Sequence, residues 1–115
     1  MKAILINPFD QSITTIKVDH ANDIKGMDTI HNLINCDCCD TFRPGELDLM
    51  LVDDRGHLKE TQQAFFRWEG YGWPLAGKAL LFGLDSPHGD LVDVRLTVEQ
   101  VQGKITWLGI RQARH

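Results

Sequence analysis

The sequence lacks long apolar runs and carries no segment that resembles a secretion signal. Its apolar stretches are short, such as Ala79–Phe82, whereas a membrane-spanning helix needs about 20 apolar residues. Only about four apolar residues precede Asn7 and Pro8, which is too few for the core of a signal peptide. The three cysteines are an odd number. Together these features predict reduced thiols and a cytoplasmic location.

Positive charge is also scarce, with 12 basic against 16 acidic side chains and a net charge of −4. Proteins that bind duplex nucleic acid usually carry a basic stripe, because neutralising phosphates and releasing counterions supplies their affinity. The basic side chains here are scattered, apart from a small group at Arg111, Arg114 and His115. Direct nucleic-acid binding is therefore disfavoured, and a basic partner is compatible with the charge.

Catalytic motifs are absent from the sequence. It contains no glycine-rich phosphate loop, no Ser/His/Asp order and no helix with paired histidines. Carboxylates are frequent, but Asp53, Asp54, Asp85 and Asp90 occupy predicted turns, where aspartate stabilises the backbone by hydrogen bonding. We therefore predict that the protein is not an enzyme and needs no cofactor.

The composition is that of one globular domain. Hydrophobic residues make up 43% and charged residues 24% of the chain, close to the averages for globular proteins. A chain of 115 residues buries roughly two-thirds of its unfolded surface without needing disulfides. No repeat or linker divides the sequence, so residues 1–115 are predicted to form a single domain.

Strand patterns dominate the sequence. Lys2–Asn7 is a continuous apolar run typical of a strand covered on both faces, and Ile13–Val18 alternates as the second strand of a hairpin. The other predicted strands are Cys38–Phe42, Leu47–Asp53, Gln63–Trp68, Lys78–Leu84, Val92–Leu96 and Ile105–Ile110. A turn at 53–56 follows the fourth strand, and 70–76 is predicted to be irregular.

One helix is predicted from apolar spacing. An apolar stripe recurs every three or four positions, at Ile24, Met27, Ile30, Leu33 and Ile34. Gly26 weakens the first turn, so the helix is expected to run firmly from Met27 to about Asn35.

A second, shorter helix is predicted from its capping residues. Thr97 and Gln100 match a capping box, in which hydroxyl and amide each satisfy a free backbone donor, and Gly103 ends the helix. The predicted fold class is therefore α+β, with a mainly antiparallel β-sheet and two short helices.

All three cysteines fall within four positions of the segment HNLINCDCCD, at 31–40. A structural zinc site needs four tetrahedral ligands, usually from two C-x2-C hooks, and here there is one hook. Adjacent Cys38 and Cys39 would point to opposite faces of a strand. The metal-binding alternative therefore uses His31, Cys36 and Cys38. The favoured interpretation treats the cysteines as small hydrophobic side chains at a helix–strand junction, with no metal.

A nucleophilic cysteine is disfavoured by the same segment. The cysteines follow the negative end of a helix, and Asp37 and Asp40 lie beside them. Both features raise the expected pKa of the thiols, whereas a nucleophile needs a lowered pKa.

Aromatic residues cluster in FFRWEGYGWPLAG, at 65–77, where five of the nine aromatics lie between Phe65 and Trp73. Such rings either close the core or anchor a protein interface. The interface interpretation uses Arg67, Trp68, Glu69, Tyr71 and Trp73, with the rings as anchors and the two charges setting orientation. A small-ligand alternative, for example a nucleotide binder, would need a cavity near Trp68 and Trp73 with a convergent Arg or Lys.

Five segments carry a recognisable pattern: an I-N-C-D-like corner at Leu33–Asp37, a V-D-D-x-G-x-L-K hairpin at Val52–Lys59, F-x-x-x-G-Y at Phe66–Tyr71, P-L-A-G-K-A-L-L-F-G at Pro74–Gly83 and L-T-x-E-x-V at Leu96–Val101. In these motifs the chain resembles a family of small bacterial and phage- or plasmid-borne proteins classed as a domain of unknown function. The motifs are scaffold features, so the resemblance implies no catalytic residue. It implies an accessory protein that binds a host or phage macromolecule.

These observations predict a non-enzymatic protein-interaction or accessory module. Its partner would be another protein or a second copy of itself, as a homodimer formed through residues 65–73 or an open sheet edge.

Overall fold

The computed structural model describes residues 1–36, 39–53 and 62–112. The strands are β1 Lys2–Asn7, β2 Ser12–Lys17, β3 Cys39–Phe42, β4 Asp48–Asp53, β5 Gln62–Trp68, β6 Leu75–Ala76, β7 Ala79–Leu84, β8 Leu91–Val92 and β9 Ile105–Gln112, and the helices are α1 Ile24–Ile34 and α2 Val98–Gln102. The structure confirms a mainly antiparallel sheet architecture with two short helices. Most of the predicted turn at 53–56 lies outside the described residues.

The strands form two sheets. The larger has the order β2-β1-β7-β4-β3, with β8 added to β7, and the smaller has the order β6-β5-β9. Every strand pair among the described residues is antiparallel. Strand β7 lies at the centre, where it pairs with β1, β4 and β8.

Strand β7 is buried along its whole length and lies within the strand predicted at Lys78–Leu84. Leu80 and Phe82 pack in one apolar cluster with Ile30 and Ile34 of α1. Ala79, Leu81 and their neighbours on β1 and β4 pack in a second cluster with Phe66 and Trp68 of the smaller sheet. The larger sheet is therefore a middle layer, with α1 on one face and the smaller sheet on the other.

Helix α1 differs from its prediction at its N-terminal end. It begins at Ile24, three residues before Met27. Ile30 and Ile34 are buried as predicted, but Ile24 and Met27 are 86% and 50% exposed. Gly26 accounts for this exposure. It is the residue of the first turn that faces inward, where it is buried against the backbone of His20, so the side chains of Ile24 and Met27 point to solvent.

Two predicted strand boundaries also change. The strand predicted at Val92–Leu96 is reduced to β8, Leu91–Val92. After Val92 the segment bonds elsewhere: Val94 N donates to the Lys2 carbonyl of β1 at 2.9 Å, and Arg95 Nη1 donates to the carbonyls of Leu84 and Leu47 at 2.7 and 3.1 Å. The segment predicted to be irregular contains β6, which pairs with Phe65 and Phe66 of β5.

The capping box of α2 is confirmed. Gln100 N donates to Thr97 Oγ1 at 3.2 Å, and Thr97 N donates to Gln100 Oε1 at 2.9 Å. The cap matters because α2 places Val101 in the core with no exposed area. Gly103 does follow the helix, but with a φ of −66° it does so without adopting the left-handed conformation common at such positions.

We expect Thr97→Ala to lower the free energy of unfolding by about 1 kcal/mol, because the variant removes one half of the box and leaves a backbone donor unsatisfied. Chemical denaturation measures the change. Gln102→Ala, an exposed position of the same helix, is the matched control and should change stability by less than about 0.5 kcal/mol. Equal losses in the two variants would contradict a stabilising cap.

Candidate functional site

The structure divides the aromatic segment between core and surface. Trp68 is only 2% exposed and belongs to the apolar cluster beneath the smaller sheet. Tyr71 is half-buried, and Trp73 is 74% exposed. Trp68 therefore offers no area to a partner, which corrects the expectation for this ring. Strand alternation accounts for its burial, since Ala64, Phe66 and Trp68 all face inward on β5.

Ring contacts hold Tyr71 in place. Its ring lies 4.4 Å from that of Phe42 on β3, measured between centroids, and the Phe42 ring meets Trp68 edge-on at 6.4 Å. The backbone N–H of Tyr71 donates to the Trp68 carbonyl at 3.0 Å, across a turn in which Gly70 has a φ of 86°. The loop that carries Trp73 is thus anchored to both sheets at its start.

The two charged residues of the predicted interface, Arg67 and Glu69, lie away from Trp73. Arg67 is exposed on the outer face of β5, opposite Thr106 of β9. Glu69 forms an ion pair with Lys104, with 3.4 Å between Oε2 and Nζ. The Glu69 side chain is 69% exposed and the Lys104 side chain is 41% exposed. Such an exposed pair contributes less than about 1 kcal/mol. Neither Arg67 nor Glu69 lines the groove beside Trp73.

That groove is a cavity of about 320 Å³, formed where the loop meets β3, β4 and β6. Its lining residues are Asp40, Val52, Asp53, Tyr71, Trp73, Pro74, Leu75 and Ala76. A volume of this order accepts a side chain or a small molecule. The floor is apolar, because Val52, Leu75 and Ala76 are buried, and the rim carries the exposed side chains of Trp73 and Asp40.

The charge of the groove bears on the nucleotide alternative. That alternative needed a convergent Arg or Lys, but the lining that the structure describes includes two aspartates and no basic residue. Phosphate recognition relies on cationic or N–H donors, so the groove favours a cationic ligand over an anionic one.

Sequence reasoning missed both aspartates. Asp53 is the last residue of β4, as the predicted strand Leu47–Asp53 implies, but it is 6% exposed and pairs with Cys39 across the ladder, which its position at the start of a predicted turn did not indicate. Asp40 is exposed on β3, two residues before Phe42. The period-2 alternation of a strand could have indicated that Asp40 shares a face with Phe42, but not that the aromatic loop would cover that face.

The cysteine-rich segment forms a second candidate site. Asn35 ends α1 in the left-handed conformation, with a φ of 55°, which Asn tolerates better than most residues. The chain consequently turns back, and Cys36 N donates to the His31 carbonyl at 3.0 Å. This turn brings Cys36 beside the last turn of the helix, while Cys39 begins β3 next to it.

In this second site, one ligand atom from each of His31, Cys36 and Cys39 lies within 4.8 Å of the others. The two Sγ atoms are 2.7 Å apart. Cys36 is 6% exposed and packs in the cluster of α1 and β7, as expected for a small hydrophobic side chain. The structure thus assembles His31 and Cys36 with Cys39, where the sequence-based alternative named Cys38. Cys38 itself lies outside the described residues.

No helix in the described parts of the chain is both long and apolar enough to cross a membrane. Comparison with known proteins finds no family model, no curated protein and no solved structure that matches this chain.

Proposed function

We propose that this protein is a non-enzymatic interaction module that binds a basic segment of a partner protein in the groove beside Trp73. The observation that carries the proposal is the exposure of Trp73, which is 74% accessible while it lines a concave cavity. A large aromatic side chain left in water beside an apolar floor is typical of an interface anchor, because burying it on binding releases water from its apolar surface.

Charge selects the chemistry of the partner. Asp40 and Asp53 line the groove, and the chain as a whole carries a net charge of −4. An Arg or Lys side chain entering the groove would meet the exposed carboxylate of Asp40 and the ring faces of Tyr71 and Trp73. A cation over an exposed aromatic face gains about 0.5–1 kcal/mol, and electrostatic complementarity adds specificity and speeds association.

The groove needs little rearrangement to accept such a side chain. Its walls belong to the hydrogen-bonded strands β3, β4 and β6, and Tyr71 is fixed by its contact with Phe42. Preformed walls reduce the entropy lost on binding. We propose a host or phage macromolecule as the source of the basic segment, which is what the resemblance of the sequence motifs implies.

We expect the indole N–H resonance of Trp73 to shift saturably when a capped Gly-Arg-Gly peptide is added to the protein. The isosteric Gly-citrulline-Gly peptide, which lacks the charge, should cause a much smaller shift. Two-dimensional ¹H–¹⁵N NMR measures both titrations, and Trp73→Phe assigns the signal. Trp68, which is buried, provides an internal control whose indole resonance should not move.

Variants test the same site. Trp73→Ala should weaken binding of the Arg peptide, or of an isolated natural partner, by about 2 kcal/mol, the loss typical of an interface anchor. Asp40→Asn should lower the affinity for the arginine peptide and leave the affinity for the citrulline peptide unchanged. Asp90→Asn, in an exposed turn, is its matched control. Equal affinity for the arginine and citrulline peptides, or full affinity in Trp73→Ala, would refute the proposed groove.

A second copy of the chain is the alternative partner. Light scattering on the purified protein distinguishes the two cases, since self-association predicts a dimer mass that Trp73→Ala returns to a monomer. A wild-type monomer would exclude self-association as the role of the groove.

A further inference from the structure

We propose that His31, Cys36 and Cys39 bind a thiophilic divalent metal ion of the zinc class. The three side chains provide one imidazole nitrogen and two thiolates, the donors that Zn²⁺ prefers in proteins. Their ligand atoms lie within 4.8 Å of one another. This site is separate from the proposed function, because none of the three residues lines the groove beside Trp73.

The convergence depends on three backbone features. His31 belongs to the last turn of α1, Cys36 follows the left-handed turn at Asn35, and Cys39 is the first residue of β3. The hydrogen bond from Cys36 N to the His31 carbonyl fixes the first two relative to each other. A metal ion held here would tie the end of α1 to the edge strand of the larger sheet.

The dimensions suit a tetrahedral ion. With Zn–S bonds of about 2.3 Å and Zn–N bonds of about 2.0–2.1 Å, ligand atoms at the corners of a tetrahedron are roughly 3.4–3.8 Å apart. The two Sγ atoms, now at 2.7 Å, would separate by about 1 Å when an ion enters between them. Cys39 can supply this movement by rotation about χ1, because it is only partly buried, at the start of an edge strand.

Charge balance also favours a divalent cation. Each cysteine loses its proton on binding, so two thiolates neutralise a 2+ ion, and the neutral His31 ring adds no charge. A neutral complex suits this position, since Cys36 is 6% exposed and packs among apolar side chains, and isolated buried charges are costly. The three protein ligands leave one corner for water or a further donor.

Two other interpretations predict different results. A disulfide between Cys36 and Cys39 would use both sulfurs and give His31 no role. Simple core packing would give the two thiols no affinity for metal. The geometry favours the metal site because it is the only one of these three interpretations that uses all three converging side chains.

Cobalt titration tests the proposal. We expect the reduced, metal-free protein to bind one Co²⁺ per chain, with the intense thiolate-to-cobalt absorption and the visible bands of a tetrahedral site, and Zn²⁺ to displace it. Cys36→Ala and Cys39→Ala, which keep the positions apolar, should each weaken Co²⁺ binding at least 100-fold and abolish or halve the thiolate band. His31→Ala should weaken it at least tenfold. Affinity should rise with pH, because binding releases thiol protons.

Controls separate loss of ligands from loss of fold. His88→Ala, at an exposed turn, should retain wild-type cobalt affinity, and circular dichroism checks the fold of every variant. The absence of a thiolate–cobalt band in reduced wild-type protein would overturn the proposal. Undiminished binding in folded Cys36→Ala or Cys39→Ala would also overturn it. So would alkylation and mass spectrometry showing that a Cys36–Cys39 disulfide forms and persists in the presence of excess Zn²⁺.

Discussion

Trp68→Ala should lower the free energy of unfolding by about 3–5 kcal/mol, the loss observed when a large buried ring is truncated in a core. Trp68 is 2% exposed and packs with Phe66, Leu75 and Val101 between the two sheets. Truncation removes the contacts of the ring and leaves a cavity that neighbouring strands, fixed by hydrogen bonds, cannot close. Urea denaturation followed by circular dichroism measures the effect.

Trp73→Ala is the matched control, because it removes the same side chain five positions away from a site that is 74% exposed. Its free energy of unfolding should stay within about 0.5 kcal/mol of the wild-type value. A large loss of stability in Trp73→Ala would place that ring in the core and remove the basis for the interface. A small loss in Trp68→Ala would contradict the packing of the two sheets described above.

Gly26→Ala should destabilise the protein by about 3 kcal/mol, at the upper end of overpacking effects. Helix propensity alone predicts the opposite sign, since alanine is favoured over glycine by about 1 kcal/mol inside a helix. A Cβ atom at Gly26 would lie 2.0 Å from the carbonyl oxygen of His20, which is backbone and cannot rotate away. The start of α1 would have to move, with the loss of the Gly26 N–H bond to the Asp23 carbonyl.

Gly103→Ala is the control for this second prediction. Its φ is −66°, and a Cβ atom there would meet the nearest carbonyl at an ordinary 3.5 Å. Alanine should therefore be neutral or stabilising by up to about 1 kcal/mol, mainly because it restricts the unfolded chain. If both glycine variants gained stability in denaturation experiments, propensity would be the stronger effect and the contact with His20 would not constrain the helix.

The parts of the fold that the sequence predicted correctly depend on local or strictly periodic signals. The apolar run 79–82 predicted a strand, and β7 forms there and is buried throughout. Thr97 and Gln100 form the capping box at the predicted spacing. The hairpin of β1 and β2 pairs from Lys2 with Lys17 to Asn7 with Ser12. Each of these features is determined by residues close together in the chain.

The errors concern contacts between residues distant in sequence. Periodicity places Ile24 and Met27 on the stripe of Ile30, but it cannot show that the chain before α1 leaves those two side chains in water. In the same way, alternation places Phe66 and Trp68 on one face of β5 without showing that this face is the buried one. The position of the larger sheet determines which face of β5 is buried.

The candidate sites show the same division. The crowding of three cysteines after a helix was visible in the sequence, and so was the proximity of His31 to Cys36. The approach of Cys39 to this group depends on where β3 begins, which no local signal specifies. The groove depends on a loop from the smaller sheet covering β3 of the larger one, and this contact joins segments about 30 residues apart.

Strand β7 also determines how the domain unfolds. It contributes Leu80 and Phe82 to one apolar cluster and Ala79 and Leu81 to the other, so neither outer layer can detach without exposing one of its faces to solvent. The two clusters should accordingly melt together in a single cooperative transition, and the amide protons of β7 should exchange with solvent only when the whole domain opens.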